Sequence, residues 1–241
     1  FNIMKNITSF TGGVLVNKKK NNINFDISSY KKPLKFNIFK KILFVLTIQL
    51  LNSKILFPFF FEIIKASHKY SFNFFLKKYR TDFEVKIEDK FPERFRNIMH
   101  DFQEYILLKQ FDSLSLKQDL RIKKSETYYI NLKKNNELYF PQSEFTNQNI
   151  FLDFPIICKT RNIQKMLFEF LLKNKIDVKN YYYTNCSEKE IYNKTNEICI
   201  NSKKISENIL MLPVHEKINK NYQEKIINKI NEFFSENNLA D

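Results

Sequence analysis

The pattern of apolar and polar residues predicts alternating strands and helices in the second half of this chain. Continuous apolar runs at residues 149–158 and 209–212 are typical of buried strands. Apolar residues at helical spacing predict a helix over 162–173, which Asn174 would end in the left-handed conformation, and a last amphipathic helix over 218–233. Strand, helix, strand and helix in alternation predict an α/β small domain.

The middle of the chain predicts two successive helices. From Arg94 onward, apolar residues recur at spacings of four, three and one, which predicts a helix with one apolar face formed by Ile98, Phe102, Tyr105 and Ile106. Asp112 and Ser113 then predict a stop and a restart, because their side chains can cap a new helix. The second helix is expected to run to about Lys134, which is long enough to bridge two domains.

The most apolar stretch of the chain, residues 42–64, is about as long as a membrane span. Polar and charged residues such as Lys54 and Glu62 interrupt it, and a charge at the centre of a span costs roughly 2.5–3.5 kcal/mol. The pattern therefore favours two shorter helices broken near Pro58. Because the basic segment KKPLKFNIFKK comes just before, these helices fit either an anchor on a bilayer surface or a helical subdomain packed on the main body.

The charge of the chain bears on its partners. A formal net charge of +14 and a pI near 9.5 suit nucleic acid or an anionic membrane. Only five of the 40 basic residues are arginine, and the lysines are spread along the chain. Because phosphate and base recognition favour arginine forks, the composition does not favour a nucleic-acid-binding protein. Cys158, Cys186 and Cys199 lack metal-ligand spacing and favour buried thiols in a reducing compartment.

The only two glycines of the chain, Gly12 and Gly13, stand side by side in the segment FNIMKNITSFTGGVLV. Glycine lets a backbone take a positive φ or approach another group closely, so this pair predicts a tight turn before a short strand over 12–16. Lys5 precedes the turn by seven residues.

This segment resembles the lysine segment of the DegT/StrS-like sugar-nucleotide aminotransferases, which are pyridoxal-phosphate enzymes with the aspartate-aminotransferase fold. The matching places are held by Phe1, Lys5, Asn6, Ile7, Thr8, Ser9, Gly12, Gly13 and Val14. Three later segments resemble that family in the same order along the chain. They are MHDFQEYILLKQFDSL, RIKKSETYYINL and ILMLPVHEKI.

The resemblance implies an α/β fold class, with the chain as the C-terminal part of a PLP fold-type-I aminotransferase. Residues 1–111 would be the end of the large PLP-binding domain, including a helical apolar insertion at about 33–91. Residues 112–241 would be a bridging helix and a C-terminal small α/β domain. The family's partner for the pyridine nitrogen, its stacking aromatic and its phosphate-binding serine all lie upstream of the lysine. We therefore expect this chain to be the C-terminal half of a longer enzyme.

The resemblance also implies a reaction. Lys5 would form the Schiff base with pyridoxal 5'-phosphate and then carry a proton between the substrate and cofactor carbons. Arg96 is a candidate for contact with the cofactor phosphate through charge-assisted hydrogen bonds, and no metal is expected. The amino group would pass from glutamate to a nucleotide-linked keto-sugar used in surface polysaccharide synthesis. The resemblance implies a cytoplasmic homodimer. The apolar insertion, where it is a surface anchor rather than a packed subdomain, would add a peripheral contact with the inner face of the membrane.

Several positions depart from the family pattern. Thr11 replaces a glutamate, and Arg96 and Ile98 stand where the family has an asparagine and an arginine near the phosphate. Residues 181–183 are tyrosines within a changed sugar-site segment, and His215 is expected to help start the last helix. The departures leave two alternatives, a non-catalytic relative that acts as a binding or regulatory scaffold, and a basic membrane-associated protein with an accidental likeness.

Overall fold

The computed structural model describes residues 30–32, 35–51, 53, 55–69, 97–140, 149–180, 185–188, 192 and 199–236. The chain divides into two compact units, Phe1–Leu114 and Ser115–Asp241. The assignment of the two parts to a large-domain remainder and a small domain stays a prediction.

The apolar stretch of the first unit forms two helices, α1 (Lys35–Leu51) and α2 (Phe57–Lys69). The prediction of two shorter helices broken near Pro58 is confirmed, since one helix ends at Leu51 and the next begins at Phe57. Pro58 is the second residue of α2, where a missing N–H costs no intrahelical hydrogen bond. Among the described helices, none combines the length and the apolar character needed to cross a bilayer.

A third helix of this unit, α3 (Asp101–Phe111), begins later than the pattern predicts. The helix starts at a capping box. His100 Nδ1 accepts from the N–H of Phe102 at 3.2 Å, and Gln103 Oε1 accepts from the N–H of His100 at 3.3 Å. The predicted start at Arg94 is therefore wrong for residues 97–100, which precede the helix in non-helical backbone.

The apolar face predicted for this helix is also wrong. Phe102 and Tyr105 are exposed, whereas Gln103 and Leu107 are buried. Gln103 reaches the His100 amide from the inner side of the helix, and Leu107, one turn later, shares that side. The buried face of the helix therefore contains the capping glutamine and differs from the face that the apolar spacing predicts.

The second unit contains a small sheet covered by helices. The break at Asp112–Ser113 is confirmed, because one helix ends at Phe111 and the next begins at Leu114. A short strand and a nine-residue helix add to the elements that the pattern predicts. In chain order the elements are α4 (Leu114–Leu132), β1 (Leu138–Tyr139), β2 (Asp153–Cys158), α5 (Arg161–Lys173), α6 (Ile200–Asn208), β3 (Ile209–Pro213) and α7 (Lys220–Glu236).

The three strands form an antiparallel sheet in the order β1-β2-β3. Phe154 lies opposite Leu212, and Ile156 lies opposite Leu210. These four side chains are fully buried on one face of the sheet. Ile209 and Met211 on the other face of β3 are also buried, which explains why β3 is a continuous apolar run in the sequence. On the outer side of β3, Lys179 exchanges two backbone hydrogen bonds with Met211, at 2.9 and 3.2 Å.

Helix α5 packs on this sheet and against α7. Its N-terminus is capped by Thr160, whose hydroxyl accepts from the N–H of Ile163 at 3.2 Å. The prediction of a left-handed Asn174 is wrong, since that residue has φ −85° and Lys175 takes the left-handed conformation with φ 59°. The core beneath α5 and α7 is aliphatic and aromatic. Its fully or nearly fully buried members are Leu167, Leu171, Ile176, Leu210, Leu212, Ile226, Ile230 and Phe233.

Truncation of this core should be costly. We expect Leu171→Ala to lower the free energy of unfolding by about 2–5 kcal/mol, because it removes a fully buried side chain and leaves a cavity. The matched change Leu116→Ala affects a helical leucine that is 64% exposed and should cost less than about 0.5 kcal/mol. Urea unfolding of both variants measures this difference, and equal losses would contradict the packing described above.

Candidate functional site

The described structure does not include the two residues that the sequence places at the cofactor. Lys5 and Arg96 lie outside the described residues, as do the three tyrosines at 181–183. The first described residues after Arg96 are extended. Asn97 pairs with Lys31 in a parallel bridge, and the N–H of Ile98 donates to the Lys31 carbonyl at 3.1 Å. The roles of Lys5 and Arg96 stay predictions.

A polar cluster of the second unit involves two of the resembling segments. On α4, Tyr128 Oη donates to the Pro213 carbonyl at 3.1 Å, and Lys124 Nζ donates to the His215 carbonyl at 2.7 Å. One turn earlier, Arg121 Nη2 pairs with a Glu216 carboxylate oxygen at 3.2 Å. Residues 121, 124 and 128 share one face of α4. This face therefore holds the chain at residues 213, 215 and 216, just after it leaves β3.

Arg121 extends this cluster to the other strand. Its side chain is only 7% exposed, and its Nη1 donates to the carbonyls of Phe151 and Leu152 at 3.3 and 3.0 Å. These residues lead directly into β2. Arg121 Nε is one of the few buried side-chain atoms in the described residues that lack a hydrogen-bond partner. A single guanidinium therefore ties the start of β2 and the end of β3 to one helix.

A second ion pair lies at the same end of the sheet. Lys179 Nζ contacts Asp153 Oδ2 at 2.7 Å, and Asp153 lies opposite Pro213 in the strand register. The carboxylate is nearly buried, and this burial raises the pKa of Asp153, although the charge of Lys179 opposes the shift. The two ion pairs thus place two positively charged and two negatively charged side chains near the C-terminal end of β3.

The electrostatics of the cluster keep one histidine neutral. Burial lowers the pKa of His215 to about 4. The negative charge of Glu216 opposes this shift, and the positive charges of Arg121 and Lys124 reinforce it. Burial also lowers the pKa of Lys124. Burial by itself raises the pKa of Glu216, but its own backbone N–H and the charge of Arg121 outweigh this effect and lower that pKa.

The chemistry of the cluster is that of structural support. Its charged groups bind one another or backbone carbonyls, as in Arg121 with Glu216 and Lys179 with Asp153. In the part of the chain that the structure covers, no three His, Cys, Asp or Glu side chains are grouped so that they could hold a metal ion. The described residues thus hold the segment at 213–216 in place, and the cofactor contacts of Lys5 and Arg96 stay predictions.

A separate surface cleft of about 320 Å³ lies between α5 and α6. Asn180 and Asn185, the residues just before and after the segment at 181–184, both line it. Asn185 is nearly buried, and its Oδ1 accepts from the N–H and the hydroxyl of Ser187 at 3.2 and 2.9 Å. Two basic and two acidic side chains also line the cleft, and Arg161 and Glu207 among them pair at 3.5 Å.

Two histidines serve the backbone in ways that the sequence pattern only partly reveals. His100 caps α3, and the spacing of a cap residue three positions before Gln103 is the signal that finds it. His215 lies in the turn before α7, where its carbonyl accepts from the N–H of Ile218 at 3.1 Å. The side chain that caps α7 is Asn219, whose Oδ1 accepts from the N–H of Tyr222 at 2.8 Å.

The cysteines correct another expectation. Cys158 is buried on β2, and burial raises the pKa of its thiol to about 12. Cys186 and Cys199 are exposed, so the expectation of buried thiols holds for Cys158 alone.

Comparison with protein families identifies a match to the model of the DegT/DnrJ/EryC1/StrS aminotransferase family over residues 83–231. This range covers more than half of the chain and contains the whole sheet and helices α3 to α6. It confirms the resemblance carried by the sequence motifs in that range. Lys5 and the helices α1 and α2 lie before it. No curated protein matches the sequence.

Solved structures provide a second comparison. The aminotransferase TlmJ from Streptoalloteichus hindustanus is 15% identical with a TM-score of 0.53, and the match covers 58% of this chain and 38% of that one. PseC from Helicobacter pylori, an aminotransferase involved in the biosynthesis of pseudoaminic acid, is 18% identical with a TM-score of 0.51, and the match covers 65% and 42%. The likeness confirms the predicted fold class. The matches span about two fifths of the length of these proteins.

The pKa of His215 predicts how stability changes with pH. Its folded pKa of about 4 is below the ordinary 6.5, so the unfolded chain binds more protons between these values. The stabilisation is complete above pH 6.5 and is lost as the pH falls towards 4. Because the ring is partly exposed, we expect a loss of about 1–2 kcal/mol.

Comparison with His215→Asn isolates this effect. Unfolding free energies of both proteins between pH 7.5 and 4 should converge, because the variant lacks the titrating ring. The raised pKa of Asp153 has the opposite sign, since the folded state then binds a proton more readily, and it is present in both proteins. Parallel pH curves would show that His215 is not desolvated in the folded state.

Proposed function

The chain belongs to the DegT/DnrJ/EryC1/StrS aminotransferase family, and on this premise we propose that the whole protein is a pyridoxal-phosphate-dependent aminotransferase. Its proposed substrate is a nucleotide-linked keto-sugar, its proposed amino donor is glutamate, and its product serves surface polysaccharide synthesis. The observation that supports this proposal most directly is the ordered set of motifs, which runs from the Lys5 segment to the closing segment at Pro213 and His215.

The choice of a sugar substrate has a separate support. PseC shares the fold with this chain and is named as an aminotransferase involved in the biosynthesis of pseudoaminic acid. A fold likeness at 18% identity supports the general architecture and leaves the particular substrate to pocket shape. The proposal therefore names a class of substrate, a keto-sugar on a nucleotide carrier.

Lys5 is the residue proposed to carry the chemistry. Pyridoxal phosphate supplies an electron sink, which makes it easier for a proton to leave the carbon that bears the amino group. The Nζ of Lys5 would hold the cofactor and then move that proton, a task that requires an amine with a lowered pKa. Arg96 would bind the phosphate group, for which a guanidinium can form paired, charge-assisted hydrogen bonds.

The described residues contribute to this function by positioning the chain. The cluster of Arg121, Lys124 and Tyr128 holds the segment at 213–216 against α4. In the proposed enzyme this segment belongs to the small domain, and its contacts with α4 keep it in one conformation. We also propose that the enzyme is a homodimer, as the resemblance implies for sites formed at a subunit interface.

The proposed location is the cytoplasm, with a peripheral contact on the inner face of the membrane. Surface polysaccharides are assembled from activated sugars, so an enzyme that makes such a sugar would act close to the membrane where it is consumed. The apolar helices α1 and α2 lie before the range that matches the family, and aminotransferase chemistry gives no account of them.

A second candidate function is a non-catalytic relative that binds without turnover. Ile98 favours it, because an apolar, half-buried residue stands where the resemblance places an arginine near the phosphate. The change at Thr11 favours it as well. Such a scaffold would keep the fold and the cofactor contact and would lack transamination.

Trapping of the cofactor tests the proposal. Full-length protein is mixed with pyridoxal phosphate and reduced with borohydride, and peptide mass spectrometry should find the reduced adduct on Lys5. Lys5→Ala should lose the adduct and lower transamination by about 10²–10⁴-fold, because it removes the proton carrier. Lys18→Ala, a change in the basic stretch NKKKNN at residues 17–22, should leave both unchanged.

Each result of this experiment selects one account. An adduct on Lys5 together with amino transfer from glutamate to a keto-sugar nucleotide supports the enzyme. An adduct without transfer to any keto-sugar nucleotide tested supports the scaffold. No adduct on Lys5 overturns the proposed role of this lysine.

A further inference from the structure

Helix α1 carries a row of large apolar side chains that no other described residue covers. Each of the four is more than half exposed. Their spacing of four, three and four residues places them within about 60° of one another around the helix. They are Phe39, Leu43, Leu46 and Leu50, and we refer to them as the apolar row.

Exposed apolar surface continues past the end of α1. The turn between the helices is closed by Ser53, whose N–H donates to the Leu50 carbonyl at 3.0 Å and whose hydroxyl accepts from the N–H of Leu56 at 3.3 Å. Beyond it, Ile55, Phe59 and Ile63 are also more than half exposed. Seven large apolar side chains within 25 residues are far more than the scattered exposure that soluble surfaces normally show.

Away from these exposed side chains, each helix has a buried residue. Ile38 and Phe61 are almost completely buried, and the rings of Phe57 and Phe61 lie 5.8 Å apart. Each helix therefore has an inner side with a buried residue and an outer side that is apolar and exposed. A helix that serves only to fill a core keeps its large apolar residues on the packed side and has polar residues on the exposed side.

The net positive charge of this segment indicates the partner of the outer side. Residues 30–69 contain eight lysines and a single acidic residue, Glu62. Lys31, Lys32 and Lys40 are exposed, and Lys32 pairs with Asp101 at 3.0 Å. A second copy of this surface would bring positive charge against positive charge. An anionic bilayer instead offers an apolar interior for the row and negative headgroups for the lysines.

From these observations we infer that the apolar row and the exposed lysines of this segment, Lys31, Lys32 and Lys40, form a docking surface for the face of an anionic phospholipid bilayer. The helices lie on the membrane, since none of the described helices can span it. The row enters the region between headgroups and acyl chains, and the lysine side chains extend to the phosphates. This inference rests on the membrane location proposed above and is independent of the proposed transamination.

Vesicle flotation tests the inference directly. Full-length protein is mixed with vesicles of phosphatidylcholine containing 30% phosphatidylglycerol, and with vesicles of pure phosphatidylcholine, without cofactor or substrate. We expect flotation with the anionic vesicles and at least tenfold weaker binding to the neutral ones. Binding should also weaken when the salt concentration rises from 0.1 to 0.5 M, because salt screens the lysines.

Matched variants separate the row from general hydrophobicity. The triple change Leu43→Gln, Leu46→Gln and Leu50→Gln should weaken binding to anionic vesicles by about tenfold or more, because bound apolar area is lost. The control is the same triple change at three exposed helical leucines elsewhere, Leu108, Leu116 and Leu120, and it should leave binding within twofold. Glutamine forms helices well, and all six positions are exposed, so both proteins should fold.

A second pair of variants tests the lysines. Lys31→Gln with Lys40→Gln should weaken binding to anionic vesicles several-fold, whereas Lys123→Gln with Lys204→Gln, at exposed positions of the second unit, should leave it unchanged. Circular dichroism checks that each variant keeps its helices.

The outcomes decide the inference without reference to catalysis. It is overturned if the protein floats with neither kind of vesicle, if it binds both equally, or if the row variant binds as well as the control. It is also overturned if the row variant only converts an oligomer into a monomer in gel filtration, since the row would then be a contact between copies. A failure of transamination with normal flotation would count against the proposed function alone.

Discussion

One buried guanidinium connects the parts of the second unit that the family fold has to hold together. Arg121 donates to the carbonyls of Phe151 and Leu152 before β2 and pairs with Glu216 after β3, and all of these groups lie at one end of the sheet. A buried charge without such partners would be strongly destabilising, so its contacts fix the helix and both strand ends as a set. Tyr128 completes the arrangement about two turns later, through the Pro213 carbonyl.

Much of the fold around this residue could be predicted from the sequence. The strands β2 and β3 lie in largely apolar runs, and the helices α5 and α7 have clear helical spacing of their apolar residues. The start of α3 was misplaced because the apolar spacing of Phe102 and Tyr105 concealed the capping box at His100, and the short β1 offered almost no pattern to find. The role of Arg121 could not be predicted, since its partners lie 30, 31 and 95 residues away along the chain.

The candidate site divides in the same way. Its chemistry depends on Lys5 and Arg96, which a resemblance carries and which lie outside the described residues, so their roles stay predictions. The contacts that support the site are visible in the structure. They hold the segment at 213–216 against α4, where His215 is desolvated and neutral near three positive charges. The apolar row of α1 belongs to neither part. Family chemistry does not require it, and the charges near it suit a lipid surface.

The measurement that tests the central role of Arg121 most directly is a comparison of two arginine variants by urea unfolding. Arg121→Met should lower the free energy of unfolding by about 2–4 kcal/mol, because three acceptors lose a buried donor. Arg161→Met, which removes a 60% exposed partner of Glu207, should lower it by no more than about 0.5 kcal/mol. Equal changes in the two variants, or no change on replacing Arg121, would contradict the account.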